Sequence, residues 1–387
     1  MKKITPLLSL ATLALLAPLA AAEPAQLVKE KDVVIYSDDQ FHSAFPSVVR
    51  RPDGELILAF RRAPDRRIFG EKGTSHTDPN SYLVQVRSKD NGETWTKNPA
   101  LILAHPFGGS QDPCMIQLAD DSIVCTSYGW ALPRDDAWKS FGKVARAGEF
   151  NFFGGYLVRS MDGGHTWSDL IVPPPIPGED TKTAFNQPLP AYNRGGLYQG
   201  KSGRLFWAVA SPVQGDTTGR TENHLMYSDD GGLTWTYGAP IAQDPKVVFN
   251  EASIYETPKG DLVVFIRTDE FDDHTVVARS TDGGKSFTWE DAGFQGHPHY
   301  PVQLPDGRVL LVYGYRHAPM GIRARILNPE CTDYKESTEI VLRDDGGNGD
   351  LGYPWATVMA NGKVLVSYYF NIEGGTKHIA GTILRLE

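Results

Sequence analysis

The chain has 387 residues, enough for one large domain or two ordinary ones. Its 41% hydrophobic content, with 39 Gly and 27 Pro, fits a turn-rich globular β protein. A formal net charge of -9 argues against a nucleic-acid surface but leaves room for an anionic substrate at a local arginine cluster.

The N-terminus reads as a targeting segment. Lys2 and Lys3 precede an apolar run from Leu7 to Leu19, and Ala20, Ala21 and Ala22 offer a small-residue cleavage site. Residues 1–22 are therefore expected to be a signal peptide, and the mature chain to be secreted or periplasmic. The apolar run is too short to span a bilayer comfortably and no second one follows, so no membrane span is expected. The odd set of Cys114, Cys125 and Cys331 leaves at least one free thiol and excludes a disulfide scaffold. Cys114 and Cys125 fall on neighbouring expected strands.

From there six segments repeat one form: an alternating strand, a polar turn and an apolar strand. They are FPSVVRRPDGELILAFR (45–61), DPCMIQLADDSIVCTSY (112–128), RGGLYQGKSGRLFWAVA (194–210), EASIYETPKGDLVVFIR (251–267), PHYPVQLPDGRVLLVYG (298–314) and YPWATVMANGKVLVSYY (353–369). Their turn positions are Gly54, Asp121, Gly203, Gly260, Gly307 and Gly362. Each is read as the inner hairpin of one blade, giving an all-β fold of six blades over a single domain, 27–387. The last strand, His378 to Leu386, is expected to share blade six with an N-terminal strand, Val33 to Ser37, closing the ring and removing free edges.

A second pattern joins the outer strands. It reads SKDNGETW (88–95), SMDGGHTW (160–167), SDDGGLTW (228–235) and STDGGKSF (280–287), following hairpins one to four. Asp can accept backbone N–H bonds two or three residues on, Gly accepts φ > 0, and Trp covers the hairpin with apolar area. Blade five has a degenerate substitute near Asn328–Asp333. The pattern resembles the Asp-box of the sialidase superfamily, which implies a six-bladed β-propeller. It is a structural turn and carries no catalytic residue.

Register within the hairpins points to a site. Nine residues before each turn position stand Phe45, Asp112, Arg194, Glu251, Pro298 and Tyr353. Seven residues after stand Arg61, Tyr128, Ala210, Arg267, Gly314 and Tyr369. These positions are neighbours at the open end of an antiparallel hairpin, and a propeller gathers all six open ends on one face. Asp112, Glu251, Tyr353, Arg61 and Arg267 should therefore converge. Solvated strand ends are the plain alternative; five such groups at equivalent positions weigh against it.

Arginines with acids and a tyrosine suit a sugar carrying a carboxylate, which guanidinium groups grip in fork geometry. The segments resemble those of the sialidases, where a tyrosine takes the nucleophile's place. By that resemblance Tyr353 is the nucleophile, Glu251 the base that activates it, Arg267 a carboxylate ligand and Asp112 a contact to the sugar ring. Asp78 is the expected acid/base, with Asp65 as fallback in the same long loop. Arg323 is the expected third arginine and Arg316 its alternate, while Arg325 is structural. Family members usually begin blade one with Phe/Tyr-Arg-Ile-Pro. Here Ala44 stands where that arginine belongs, and Arg61 is in register to replace it, with Arg62 and Arg66 nearby.

His297 and His299, in GHPHY, are placed at the start of blade five, His299 as a pocket residue. No acidic partner is placed beside this H-x-H pair, so no metal and no cofactor are expected. The 344–350 stretch, DDGGNGD, lacks calcium-loop spacing and reads as a polar loop. The resemblance implies a retaining exo-α-sialidase acting on sialylated glycans or glycoproteins. A glycosidase or lyase for another acidic sugar, and a non-catalytic carbohydrate-binding propeller, are the alternatives.

Overall fold

The computed structural model describes residue 1 and residues 26–387, except 72–75, 135, 138–143, 145, 148–149, 217 and 373–374. The expected signal peptide lies outside the described residues, apart from Met1. Among the described residues, no helix is long and apolar enough to cross a membrane.

The strands form six four-stranded antiparallel sheets arranged as a β-propeller. The innermost strands are Phe41–Arg50, Gly109–Gln117, Tyr198–Gln199, Val248–Glu256, His297–Gln303 and Gly352–Val358. Each pairs with the strand that follows its turn. All six turn positions have positive φ, from 66° at Asp121 to 94° at Gly260. Glycine adopts that conformation without strain, and Asp tolerates it.

Blade six closes the ring. Leu27–Tyr36 pairs with His378–Leu386, with Val33 opposite Gly381 and Val34 opposite Ala380. The N-terminal strand forms the outer edge of that sheet and starts earlier than the sequence pattern indicates. Apolar residues of successive blades pack against each other. Tyr353 and Trp355 of blade six, for example, share a core with Phe60 and Val84 of blade one.

The Asp-boxes are hydrogen-bonded turns. Asp230 accepts from the Thr234 N–H at 2.9 Å and the Thr234 hydroxyl at 2.6 Å, and Trp235 Nε1 donates to the Gly232 carbonyl. The blade-five substitute works in part by other means: Asn328 Oδ1 accepts from the N–H groups of Glu330 and Thr332. Cys114, Cys125 and Cys331 are buried and free.

Blade three departs from the expected hairpin. Its innermost strand shrinks to Tyr198–Gln199, because the stretch after Arg194 packs directly on its neighbours. A Cβ on Gly195 would lie 1.6 Å from the Ala252 carbonyl oxygen, and one on Gly196 would lie 2.7 Å from the Tyr300 ring. Only glycine allows that approach.

Candidate active site

Five of the six innermost strands carry a register shift at the position the hairpin count singles out. The shifts fall between Ala44 and Ser47, Gln111 and Cys114, Phe249 and Ala252, His297 and His299, and Gly352 and Trp355. Such bulges re-aim a side chain that regular pleating would send into the neighbouring blade. Phe45, Asp112 and Tyr353 sit in them with φ of 58°, 34° and 53°. Positive φ at bulky residues is costly and concentrates at functional sites. The bulges also displace the ladder by one, so that Arg61 pairs with Ala44, Tyr128 with Gln111 and Tyr369 with Gly352.

Tyr353 and Glu251 meet there. The Tyr353 hydroxyl donates to Glu251 Oε1. Arg267 Nη1 donates to Glu251 Oε2 at 2.6 Å and reaches the Tyr353 oxygen at 3.3 Å. Its other terminal nitrogen donates to Asp269 at 3.0 Å. Burial pushes Glu251 toward protonation. The Arg267 charge and the hydrogen bonds from Tyr353 and Arg267 outweigh it and hold the carboxyl below its ordinary range. Burial, then the Glu251 charge, pushes the Tyr353 phenol well above its ordinary value, against the pull of Arg267 and Arg316. At rest the pair is therefore a neutral phenol hydrogen-bonded to an ionised carboxylate.

Two more guanidinium groups flank the Tyr353 ring. Arg316 lies 5.3 Å from its centroid and donates to the Leu351 carbonyl at 3.1 Å and to the Tyr369 hydroxyl at 3.3 Å. Arg194 lies 4.6 Å from the centroid and donates to the Tyr353 carbonyl at 3.0 Å. Arg194 stands at a position of the hairpin count, but the sequence reading does not include it among the converging groups.

Arg61 is fully buried, 5.9 Å from the Phe45 ring centroid. Burial lowers its pKa to about 10, so it stays cationic at neutral pH, opposed by the charges of Asp78 and Asp112. Asp112 is 1% exposed and accepts from the Tyr128 hydroxyl at 2.9 Å. Burial raises its pKa to about 6, with the Arg194 charge pulling the other way.

Glu251 and Tyr353 line a cavity of about 610 Å³, together with His76, Gln111, Tyr128 and Trp130. Trp130, Phe152 and Tyr192 form its aromatic wall, with ring centroids 4.8 and 4.2 Å apart along that chain.

Four expected site residues have partners of their own. Arg323 is turned into the outer part of blade five. It donates to the carbonyls of Arg343 and Pro319 and approaches Glu339 at 3.5 Å. The loop acids are both ion-paired. Asp78 holds Arg66 through two bonds of 2.6 and 2.9 Å, and Asp65 caps the Arg66–Phe69 turn and pairs with Arg67. Neither lines the cavity, and nor does Asp112, which contacts it through Tyr128. His299 is bonded to the Thr275 hydroxyl at 2.7 Å and packs on Tyr313. Strand-end counting places backbone positions; it does not reveal which partner a long side chain finds. Asp350, read as part of a polar loop, is the reverse case. It receives His42 at 3.2 Å, His76 at 3.0 Å and Tyr369 at 3.0 Å, which ties the loop to the cavity rim.

Residues 141–366, more than half of the chain, match the family model described as BNR repeat-like domain. A curated sialidase of Paraclostridium sordellii is 24% identical over 90% of this chain and 91% of its own length. The solved structure of a Dyadobacter fermentans protein of unknown function is 58% identical, with a TM-score of 0.91 over 93% of this chain and 99% of that one. A Hadza microbial sialidase shares the fold at 18% identity, with a TM-score of 0.63 over 88% of this chain and 65% of that one.

Proposed function

Because the chain belongs to the BNR repeat-like family, we propose that it is an exported, retaining exo-α-sialidase, a glycoside hydrolase that releases terminal sialic acids from glycoconjugates. One observation carries this reading: Tyr353 donates to a buried, ionised Glu251 while Arg267 bridges both and Arg316 flanks the ring. Tyrosine is a poor nucleophile at its free pKa of about 10 and needs an adjacent base. A neutral attacking group also avoids repulsion from a carboxylate on the anomeric carbon.

In this reading Arg267 and Arg316, with Arg61 beside the Phe45 ring that packs on Tyr353, hold the substrate carboxylate. The Tyr353 oxygen attacks the anomeric carbon as its proton passes to Glu251, and the glycosidic bond breaks to the leaving oxygen. An acid protonates that oxygen. Water then cleaves the sugar–tyrosine bond, and two inversions give retention. In this reading the acid is Asp112, which shares the strand-end register of Glu251 and Tyr353 and accepts from Tyr128 of the cavity wall, and whose protonated form burial favours. Asp78, the family position, would first have to leave Arg66.

A second reading, a hydrolase or lyase for another acidic sugar, is favoured by Ala44 in place of the family's first arginine. Release of a fluorophore from an α-sialoside and from a β-uronide decides between them. Sialoside turnover with first release of the α-anomer, followed by NMR, is expected. Turnover of the uronide alone selects the second reading, and binding without turnover of either selects a carbohydrate-binding propeller.

A further inference from the structure

Beside the arginine cluster lies a group the reaction does not use. His297 opens the innermost strand of blade five and is 3% exposed, and neither of its ring nitrogens has a hydrogen-bond partner among the described residues. An orphaned buried imidazole is uncommon, because its polar atoms lose water without compensation. Two residues from other segments converge on it. Asp273 stands in the turn between Leu262–Asp269 and His274–Ser280 of blade four, at φ 56°. His317 stands in the connection from Val309–Tyr315 to Gly321–Leu327 of blade five.

Asp273 Oδ2 lies 3.6 Å from His297 Nε2 and 3.2 Å from His317 Nε2. The three ligand atoms all fall within 4.8 Å of one another. We propose that Asp273, His297 and His317 form a binding site for a divalent transition-metal ion, zinc being the best fit.

The distances support a tetrahedral ion. Metal bonds of about 2.0–2.1 Å put neighbouring ligand atoms at a tetrahedral centre about 3.3 Å apart. The two separations bracket that length. A two-imidazole, one-carboxylate set suits zinc and its neighbours rather than calcium or magnesium. The charges of Arg267 and Arg316 reach His297. Those same arginines raise the cost of placing a dication nearby. The turn Asp269-Glu270-Phe271-Asp272-Asp273 opposes them with four carboxylates. His317 and Asp273 are 38% and 36% exposed, which leaves the fourth position facing solvent.

Such an ion would pin two connections next to the arginines of the site. One carries Asp269, which holds Arg267; the other follows Arg316, which flanks Tyr353. The site does not depend on the sialidase reading, since none of its three ligands takes part in the reaction proposed there.

The test uses the full-length mature protein without a histidine tag, stripped with a chelator and desalted. Zinc is titrated by calorimetry, and cobalt is followed by its visible absorption, which reports tetrahedral coordination. One equivalent of each is expected. His317→Ala and Asp273→Asn should each weaken binding by more than the roughly 100-fold that losing an outer-shell partner costs, and His165→Ala, on an exposed Asp-box turn, should not. Both test positions are partly exposed, so folded variants are expected and circular dichroism checks them. Absence of binding, cobalt spectra that are octahedral throughout, or undiminished binding in both His317→Ala and Asp273→Asn would each overturn the proposal.

Discussion

Glu251 and Tyr353 stand 102 residues apart in sequence, yet the phenol donates directly to the carboxylate in a buried contact. Glu251 is fixed from its other oxygen by Arg267, so the base cannot rotate away from the hydroxyl it serves. Tyr353→Phe removes the attacking oxygen and leaves the ring packed on Phe45 at 4.8 Å. Turnover should fall roughly 10³-fold or more while the melting temperature changes little. Near-normal turnover by that variant removes Tyr353 as nucleophile.

The two candidate third arginines should separate cleanly. Arg316→Ala strips a cation from beside the Tyr353 ring and should lower kcat/KM about 100-fold, or about 2.7 kcal/mol. Arg323→Ala leaves carbonyls of the outer blade unpaired and should cost about 2–3 kcal/mol of stability with kinetics nearly unchanged. Denaturant titration and steady-state kinetics on both variants check this. The opposite pattern restores Arg323 to the site.

Asp112 should make stability depend on pH. Its folded pKa, about 6, is raised above the unfolded value, so its contribution is fully present below about pH 4 and is lost as pH rises through 6. A shift of about two units corresponds to about 3 kcal/mol. Asp112→Asn should therefore be more stable than the wild type near pH 8 and show little gain near pH 4. Equal differences at both values place the ionisation elsewhere.

Leaving-group chemistry separates Asp112 from Asp78. A poor leaving group needs protonation, whereas a nitrophenolate departs nearly unaided. The acid's removal should cost much more on a natural sialoside than on an aryl sialoside and should abolish the alkaline limb of the pH profile. That differential loss is expected for Asp112→Ala. Asp78→Ala, which frees Arg66, should reduce both substrates alike. The differential appearing at Asp78 instead returns the role to the loop.

The Asp-boxes should matter for stability alone. Asp230→Ala removes two bonds to Thr234 and one from the Ser228 hydroxyl. A loss of about 1–2 kcal/mol with unchanged KM is expected. A change in KM at low temperature gives the box a role at the site.

The sequence by itself determined what depends on near neighbours along the chain. Turn glycines at fixed offsets, alternating strands and S-x-D-x-G-x-T-W turns specify six hairpins, and the hairpin count finds Glu251, Arg267, Tyr353 and Asp112 because it follows the backbone. What only the tertiary structure decided is the partner of each long or loop-borne charge. Arg316 lies in the connection before Gly321–Leu327 and Arg323 seven residues on in that strand; Arg323 turns outward to carbonyls while Arg316 flanks Tyr353. Asp78 and Asp65 are held by arginines of their own loop, Arg194 reaches Tyr353 from a shortened blade, and His297 rather than His299 meets Asp273. A charged side chain settles where its desolvation is best compensated, and that balance depends on groups that only the closed ring brings together.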